Sequence, residues 1–207
     1  MNIPNRITIF RMVLSLGIIV LLLFPFYAVN VEFPTYLVEG KILVDSKYII
    51  AGIIFVIAAI TDFLDGYIAR KYNMITDFGK LMDAIADKVL VNSVLIILAS
   101  SNHISPIIAV VVIMRDIIVN SIKMLAASSG KVVAAIKSGK IKTICLMVGI
   151  TLTFFYNLPF ELWNIKVSDF LLVTATMLSL ISGVQYYVMN RHLITKKEEE
   201  TEILEVL

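Results

Sequence analysis

Residues 62–70 read Asp62-Phe63-Leu64-Asp65-Gly66-Tyr67-Ile68-Ala69-Arg70, and after eight further residues Gly79, Asp83 and Asp87 follow at steps of four. The sequence on either side is strongly apolar. An ionisable group inside a membrane segment costs roughly 2.5–3.5 kcal/mol on insertion scales, so it persists where it binds an ion, faces water or is paired. Asp62, Asp65, Gly66 and Ala69 fall at i, i+3, i+4 and i+7 of a helix, so two carboxylates share a face with two residues too small to cover it. Gly79, Asp83 and Asp87 form a second stripe, with its carboxylates one turn apart. The turn 71–78 is short enough to predict antiparallel neighbours whose acidic stripes meet near their shared end. Four carboxylates converging there require cations, because like charges at close range otherwise hold some of them protonated. A hard, oxygen-seeking ion, Mg²⁺ or Mn²⁺, suits that donor set, and carboxylate-bound Mg²⁺ usually completes its shell with substrate phosphates.

Outward from this stretch the chain stays apolar: 207 residues, 59% hydrophobic, with a mean hydropathy of +0.91. Those values, and several runs near the roughly 20 residues needed to span a bilayer, predict an integral membrane protein. Six helices are expected, at about 9–28, 48–72, 79–100, 105–128, 142–157 and 168–190. The fold class is therefore all-α, a polytopic bundle of six transmembrane helices. Residues 1–195 form its single domain and 196–207 a polar cytoplasmic tail. With both termini cytoplasmic, the outer loops hold Lys41, Lys47 and Lys166. The inner side holds Arg6, Arg11, Arg70, Lys71, Lys80, Lys131, Lys137, Lys140, Lys142, Arg191, Lys196 and Lys197. That asymmetry obeys the positive-inside rule and places the protein in the cell membrane, multi-pass, with the acidic cluster facing the cytoplasm.

Residues 31–47 read as an outer loop. Arg6 and Arg11 ahead of an apolar run imitate a signal peptide, but residues 27–30 lack the small-x-small cleavage pattern. The single Cys145 excludes an internal disulfide framework, and two separated histidines argue against zinc, leaving oxygen ligands for any metal. No nucleic-acid partner is expected.

One aspartate of the cluster is readily explained as a helix cap or an ion-pair partner of Arg70, Lys71, Lys80 or Lys88; four at this spacing are not. The pattern D-x-x-D-G-x-x-A-R, eight residues, then G-x-x-x-D-x-x-x-D matches every fixed position of a family signature. It is the signature of the CDP-alcohol phosphatidyltransferases, which the chain resembles over nearly its whole length. The resemblance implies that an alcohol hydroxyl attacks the lipid-side phosphorus of a CDP-linked lipid and CMP leaves. It implies two metal ions on Asp62, Asp65, Asp83 and Asp87, with Asp87 also the proton acceptor. It places Gly66 and Arg70 at the CDP group of CDP-diacylglycerol, with Thr76 nearby and a Pro4-Asn5 turn ahead of the first helix closing the nucleotide pocket. A homodimer is compatible with it.

A second basic cluster bears on the acceptor alcohol: Arg115 followed by Asp116, then Lys137, Lys140 and Lys142. An arginine that deep in a helix needs an anionic partner. Either it pairs with Asp116 or a motif aspartate, or the cluster forms an anion pocket suited to a phosphorylated acceptor. The opening residues 2–8, the Arg-Asp pair and residues 132–143 resemble the bacterial phosphatidylglycerophosphate synthase branch, whose acceptor is sn-glycerol 3-phosphate. Ala84, where many members carry proline, Leu146, where some carry glutamine, and residues 136–138 depart from that branch. The rivals are the branches making phosphatidylserine, phosphatidylinositol phosphate or cardiolipin. A cation-coupled transporter would also explain buried carboxylates, but not Gly66, Ala69, Arg70 and Gly79 at signature spacing.

Overall fold

The structure is a computed structural model and describes residues 3–72, 77–128, 130 and 133–205. Among these, six α-helices appear: α1 (Ile3–Leu23), α2 (Ser46–Lys71), α3 (Asp77–Ser100), α4 (Pro106–Ser128), α5 (Lys137–Phe154) and α6 (Val167–Glu205). The expectation of a purely helical chain needs one correction. Residues 31–47 are not an irregular loop, because β1 (Thr35–Val38) and β2 (Ile42–Asp45) pair antiparallel, with Val38 opposite Ile42. The turn between them places Glu39 at φ 49° and Gly40 at φ 68°, left-handed values that match the twist of a tight hairpin.

Four helix ends also shift from their expected positions, one of them the end of α1, at Leu23 instead of about 28. Helix α1 opens at Ile3, so Pro4 and Asn5 lie in its first turn rather than in a turn ahead of it; proline is tolerated there because that N–H has no intrahelical partner. Helix α5 begins at Lys137 instead of Lys142. Helix α6 continues through the polar run to Glu205, a stretch of Lys and Glu, which are good helix formers.

Among the described residues three segments are long and apolar enough to cross a membrane, by length and composition: Asn5–Leu23, Ser46–Ile68 and Val167–Arg191. The other three helices carry charge within their apolar stretch: Asp83, Asp87 and Lys88 in α3, Arg115, Asp116 and Lys123 in α4, Lys137, Lys140 and Lys142 in α5. Helix α1 shows the division of labour most clearly. Its buried face runs through Asn5, Thr8, Arg11, Ser15, Ile18 and Leu22, while Phe10, Val13, Leu16, Val20 and Leu23 are exposed. A helix polar inside and apolar outside is inverted relative to a water-soluble protein and suits a lipid exterior.

The chain forms two compact units. The first comprises Met1–Pro106 and Met147–Asp169, the second Ile107–Leu146 and Phe170–Leu207. In the first, α1 packs against both α2 and α3. The Lys47 ammonium donates to the Leu22 carbonyl (3.0 Å) at the end of α1, and Asp45 caps α2 by accepting from the Lys47 N–H (2.8 Å). Phe55 and Phe154 are wholly buried with ring centroids 5.7 Å apart. Beside them a Cβ at Gly52 would lie 2.8 Å from Phe154 Cβ, so α2 and the end of α5 approach as closely as only glycine allows. At the hairpin end of this unit His103 stacks on Tyr48, centroids 4.2 Å apart, and burial holds its imidazole below the ordinary histidine range. In the second unit Val119, Ile122 and Tyr186 form a core against which Val133 and Ile136 pack.

Candidate active site

The stripe Ala51, Phe55, Ala58, Asp62, Asp65 runs down one face of α2 at helical spacing, apolar for most of its length and acidic at its end. On α3 the corresponding face reads Asp83, Ala86, Leu90, Val94. Because α1 lies against both, the acidic ends of the two stripes meet its polar face. Carboxylate oxygens of Asp62, Asp65 and Asp83 come within 4.8 Å of one another. Arg11, completely buried, pairs with Asp62 and Asp83 and lies 3.6 Å from Asp65 Oδ2. Thr8 donates its hydroxyl to Asp65 Oδ2 (3.2 Å), and Ser15 donates to the Arg11 carbonyl (2.9 Å).

Three carboxylates and one guanidinium leave a formal charge of −2. Asp65 is buried, whereas Asp62 and Asp83 stay partly exposed, at 41% and 50% of their side-chain surface. A divalent ion would balance that charge, and the donors are the hard oxygens that Mg²⁺ and Mn²⁺ prefer, so the residues fit such an ion.

Of the expected site residues, the structure brings together Asp62, Asp65 and Asp83. Asp87, one turn further along α3, is exposed and stands outside that group of three. Gly66 is half-buried on the same stripe as Asp62, and Asn5 is buried on the polar face of α1. Pro4 and Arg70 sit in the first turn of α1 and the last turn of α2, and their side chains, like all of Thr76, lie outside the described residues. Arg11, expected within the first helix as one of the inner-side cations, is a wholly buried residue of α1. Its signal was legible: Asn5, Thr8, Arg11 and Ser15 recur every three or four residues, a polar stripe inside an apolar helix.

The second basic cluster is built within the other unit. Arg115 donates Nη1 to Asp116 Oδ1 (2.9 Å) and Nη2 to the Ser182 hydroxyl (2.8 Å). Lys142, buried in the first turns of α5, places Nζ 2.9 and 3.1 Å from the two Asp116 oxygens. Arg115 thus does pair with Asp116, and one carboxylate is shared by two cations. The buried Arg115 Nε has no hydrogen-bond partner among the described residues. Lys137 and Lys140 are exposed on the first turn of α5. Glycines clear the path of the arginine: a Cβ at Gly183 would lie 3.2 Å from Arg115 Cγ, and one at Gly139 3.4 Å from Nη2. Ser182, Gly183 and Tyr186 went unnoticed in the sequence because an apolar helix carries many small and aromatic residues with no role at a site.

Comparison with known proteins agrees with this arrangement. The family model described as CDP-alcohol phosphatidyltransferase matches residues 1–189. A CDP-diacylglycerol–glycerol-3-phosphate 3-phosphatidyltransferase of Bacillus subtilis is 35% identical over 91% of this chain and 95% of its own. Proteins of the same name from Mycoplasma genitalium and Haemophilus influenzae are 34% and 33% identical, over 92% and 89% of this chain and 75% and 91% of theirs. The crystal structure of Mycobacterium tuberculosis phosphatidylinositol phosphate synthase in apo form matches with a TM-score of 0.56 at 20% identity. It covers 92% of this chain and 88% of that one, a likeness of fold. With the acidic stripes of α2 and α3 in place and the family model spanning nearly the whole chain, this protein belongs to the CDP-alcohol phosphatidyltransferase family.

Proposed function

We propose that the protein transfers the phosphatidyl group of CDP-diacylglycerol to sn-glycerol 3-phosphate, giving phosphatidylglycerophosphate and CMP. The observation that carries the reading is the convergence of Asp62, Asp65 and Asp83 on α2 and α3 within a family of this chemistry. Those three residues and Asp87 would hold two Mg²⁺ or Mn²⁺ ions, which when bound neutralise the diphosphate and stabilise the charge developing on departing CMP. Asp87, one helical turn beyond Asp83 on α3, takes the proton of the acceptor hydroxyl. Gly66, Arg70, Asn5, Pro4 and Thr76 bind the CDP group. An apolar groove of about 400 Å³ lined by Val56, Ile60 and Phe63 of α2 and Val148 and Leu152 of α5 favours a lipid donor. Incubating the purified protein with CDP-diacylglycerol, Mg²⁺ and a panel of alcohols while following CMP release tests the whole reading. Faster release with serine, inositol or inositol phosphate than with glycerol 3-phosphate would overturn the acceptor assignment.

The acceptor phosphate falls to Arg115, Lys140 and Lys142, with Lys137 contributing less. A polyol phosphate brings two negative charges, which only a basic pocket offsets; a neutral alcohol needs none. Among the described residues the buried Arg115 Nε has no hydrogen-bond partner, which favours an anion as the one that satisfies it. Arg115→Gln and Lys142→Gln are each expected to raise KM for glycerol 3-phosphate tenfold or more, on the scale of about 1.5–3 kcal/mol for a charged hydrogen bond. KM for CDP-diacylglycerol should stay within about twofold. Normal glycerol 3-phosphate kinetics in both variants would remove the pocket.

All six helices cross the cell membrane, with both termini and the α2–α3 turn cytoplasmic. The distribution of lysine and arginine supports this orientation. In a Cys145→Ser background, a cysteine at Glu39 on the exposed hairpin turn should react with an impermeant reagent added outside intact cells, and one at Tyr72 should not. The opposite pattern inverts the topology.

A further inference from the structure

Tyr186 on α6 is buried, yet it makes four polar or charged contacts, more than a packing residue needs. Its hydroxyl accepts from the Ile136 N–H (3.2 Å) and donates to the Ala134 carbonyl (3.3 Å), tying down the segment that leads into α5. The Arg115 guanidinium carbon lies 5.5 Å from its ring centroid, and Lys123 Nζ lies at the same distance. A cation over a tyrosine ring out of water is held more firmly than one at the surface. One residue away on α6, Gln185 accepts from the Ser138 hydroxyl (2.6 Å), a second tie to the first turn of α5. That turn runs directly against the arginine, since a Cβ at Gly139 would meet Arg115 Nη2 at 3.4 Å and the Tyr186 ring at 4.0 Å.

We infer that Tyr186 is a positioning residue for the phosphorylated acceptor, its ring orienting the Arg115 guanidinium while its hydroxyl sets the start of α5, so that Arg115 and the Lys137–Lys140 turn are held as one unit. The inference rests on the reading of Arg115 as a ligand of the acceptor phosphate. The guanidinium is then fixed from three sides. Asp116 and Ser182 hold two of its nitrogens, the ring of Tyr186 supports its carbon, and the buried Nε has no hydrogen-bond partner among the described residues. The ring and the hydroxyl make separable contributions. Tyr186→Phe keeps the support beneath Arg115 and loses both bonds to residues 134–136, whereas Tyr186→Leu loses both functions.

The test uses the purified full-length enzyme, with sn-glycerol 3-phosphate binding measured by calorimetry and steady-state kinetics measured for each substrate. Tyr186→Phe should weaken glycerol 3-phosphate binding and raise its KM about three- to fivefold, and Tyr186→Leu about tenfold or more. In both, kcat and KM for CDP-diacylglycerol should stay within about twofold, a split that general loosening of the fold would not produce. Wild-type binding in both Tyr186 variants, alongside loss of binding in Arg115→Gln, overturns the positioning role and leaves the acceptor pocket standing. Wild-type binding in Arg115→Gln removes the pocket and this inference with it. An equal rise in KM for both substrates, or a fall in kcat alone, assigns Tyr186 to packing and overturns the inference. Should Tyr186→Leu fail to fold, Tyr186→Phe decides by itself, because it changes no packing volume beyond one oxygen.

Discussion

Exchanging any of Asp62, Asp65, Asp83 or Asp87 for asparagine is expected to reduce turnover at least about a hundredfold, the scale on which removing one stabilising group for developing charge slows an enzyme. Asparagine keeps the shape and one oxygen of the side chain but removes its charge, so the loss reports electrostatics rather than packing. The expectation is firmest for Asp62, Asp65 and Asp83, whose oxygens already converge within 4.8 Å. Asp87 is exposed and outside that group, so its variant separates two roles. As a metal ligand, Asp87→Asn should raise the Mg²⁺ concentration needed for half-maximal rate. As proton acceptor alone, it should lower kcat at saturating metal and leave that concentration unchanged. Initial rates of CMP release across a Mg²⁺ titration provide the measurement. Near-normal turnover in the presence of a strong chelator, or in any two of the four variants, would end the metal-carboxylate reading.

The second large effect is on stability and falls on Arg11. Its guanidinium is completely buried and compensates three carboxylates. Removing one partner of a buried ion pair costs about 3–5 kcal/mol because the remaining charge is left uncompensated. Asp62 and Asp83 keep some exposure to water, so the lower end, about 3 kcal/mol, is expected for Arg11→Gln in metal-free protein. Adding Mg²⁺ or Mn²⁺ should recover much of that loss, since an ion binding the folded state stabilises it by mass action and here replaces the missing positive charge. Denaturation of the detergent-solubilised protein in chelator, and again across a metal titration, checks both parts. Arg11→Gln melting with the wild type in chelator would show that Arg11 does not balance the cluster. A variant equally unstable at every metal concentration would show that its role is packing alone.

Much of this molecule is legible in its residues. The spacing of Asp62, Asp65, Asp83 and Asp87 identifies the acidic stripes and the family, and hydropathy places α2, α3 and α4 within a residue or two of their observed ends. These features are local: whether a side chain shares a face with its neighbours depends on the 100° turn per residue of one helix, which the sequence carries by itself. Arg11, Tyr186 and Ser182 were each present in the sequence without announcing a partner, and the hairpin at 35–45 passed as loop because strands of four residues give almost no periodic signal. Which carboxylates share one charge is a different kind of fact. It depends on how far α1 is rotated and shifted along its axis against α2 and α3, and a slip of one residue would turn Arg11 about 100° away from the aspartates. Likewise, Asp83 joins Asp62 and Asp65 in one close group while Asp87, four residues on, stands outside it, although the two occupy equivalent places in the pattern. The sequence therefore determined the helices, their charged faces and the family. The tertiary structure alone decided which faces meet and at what height, because that is settled by long-range packing of whole helices rather than by the period of any one of them.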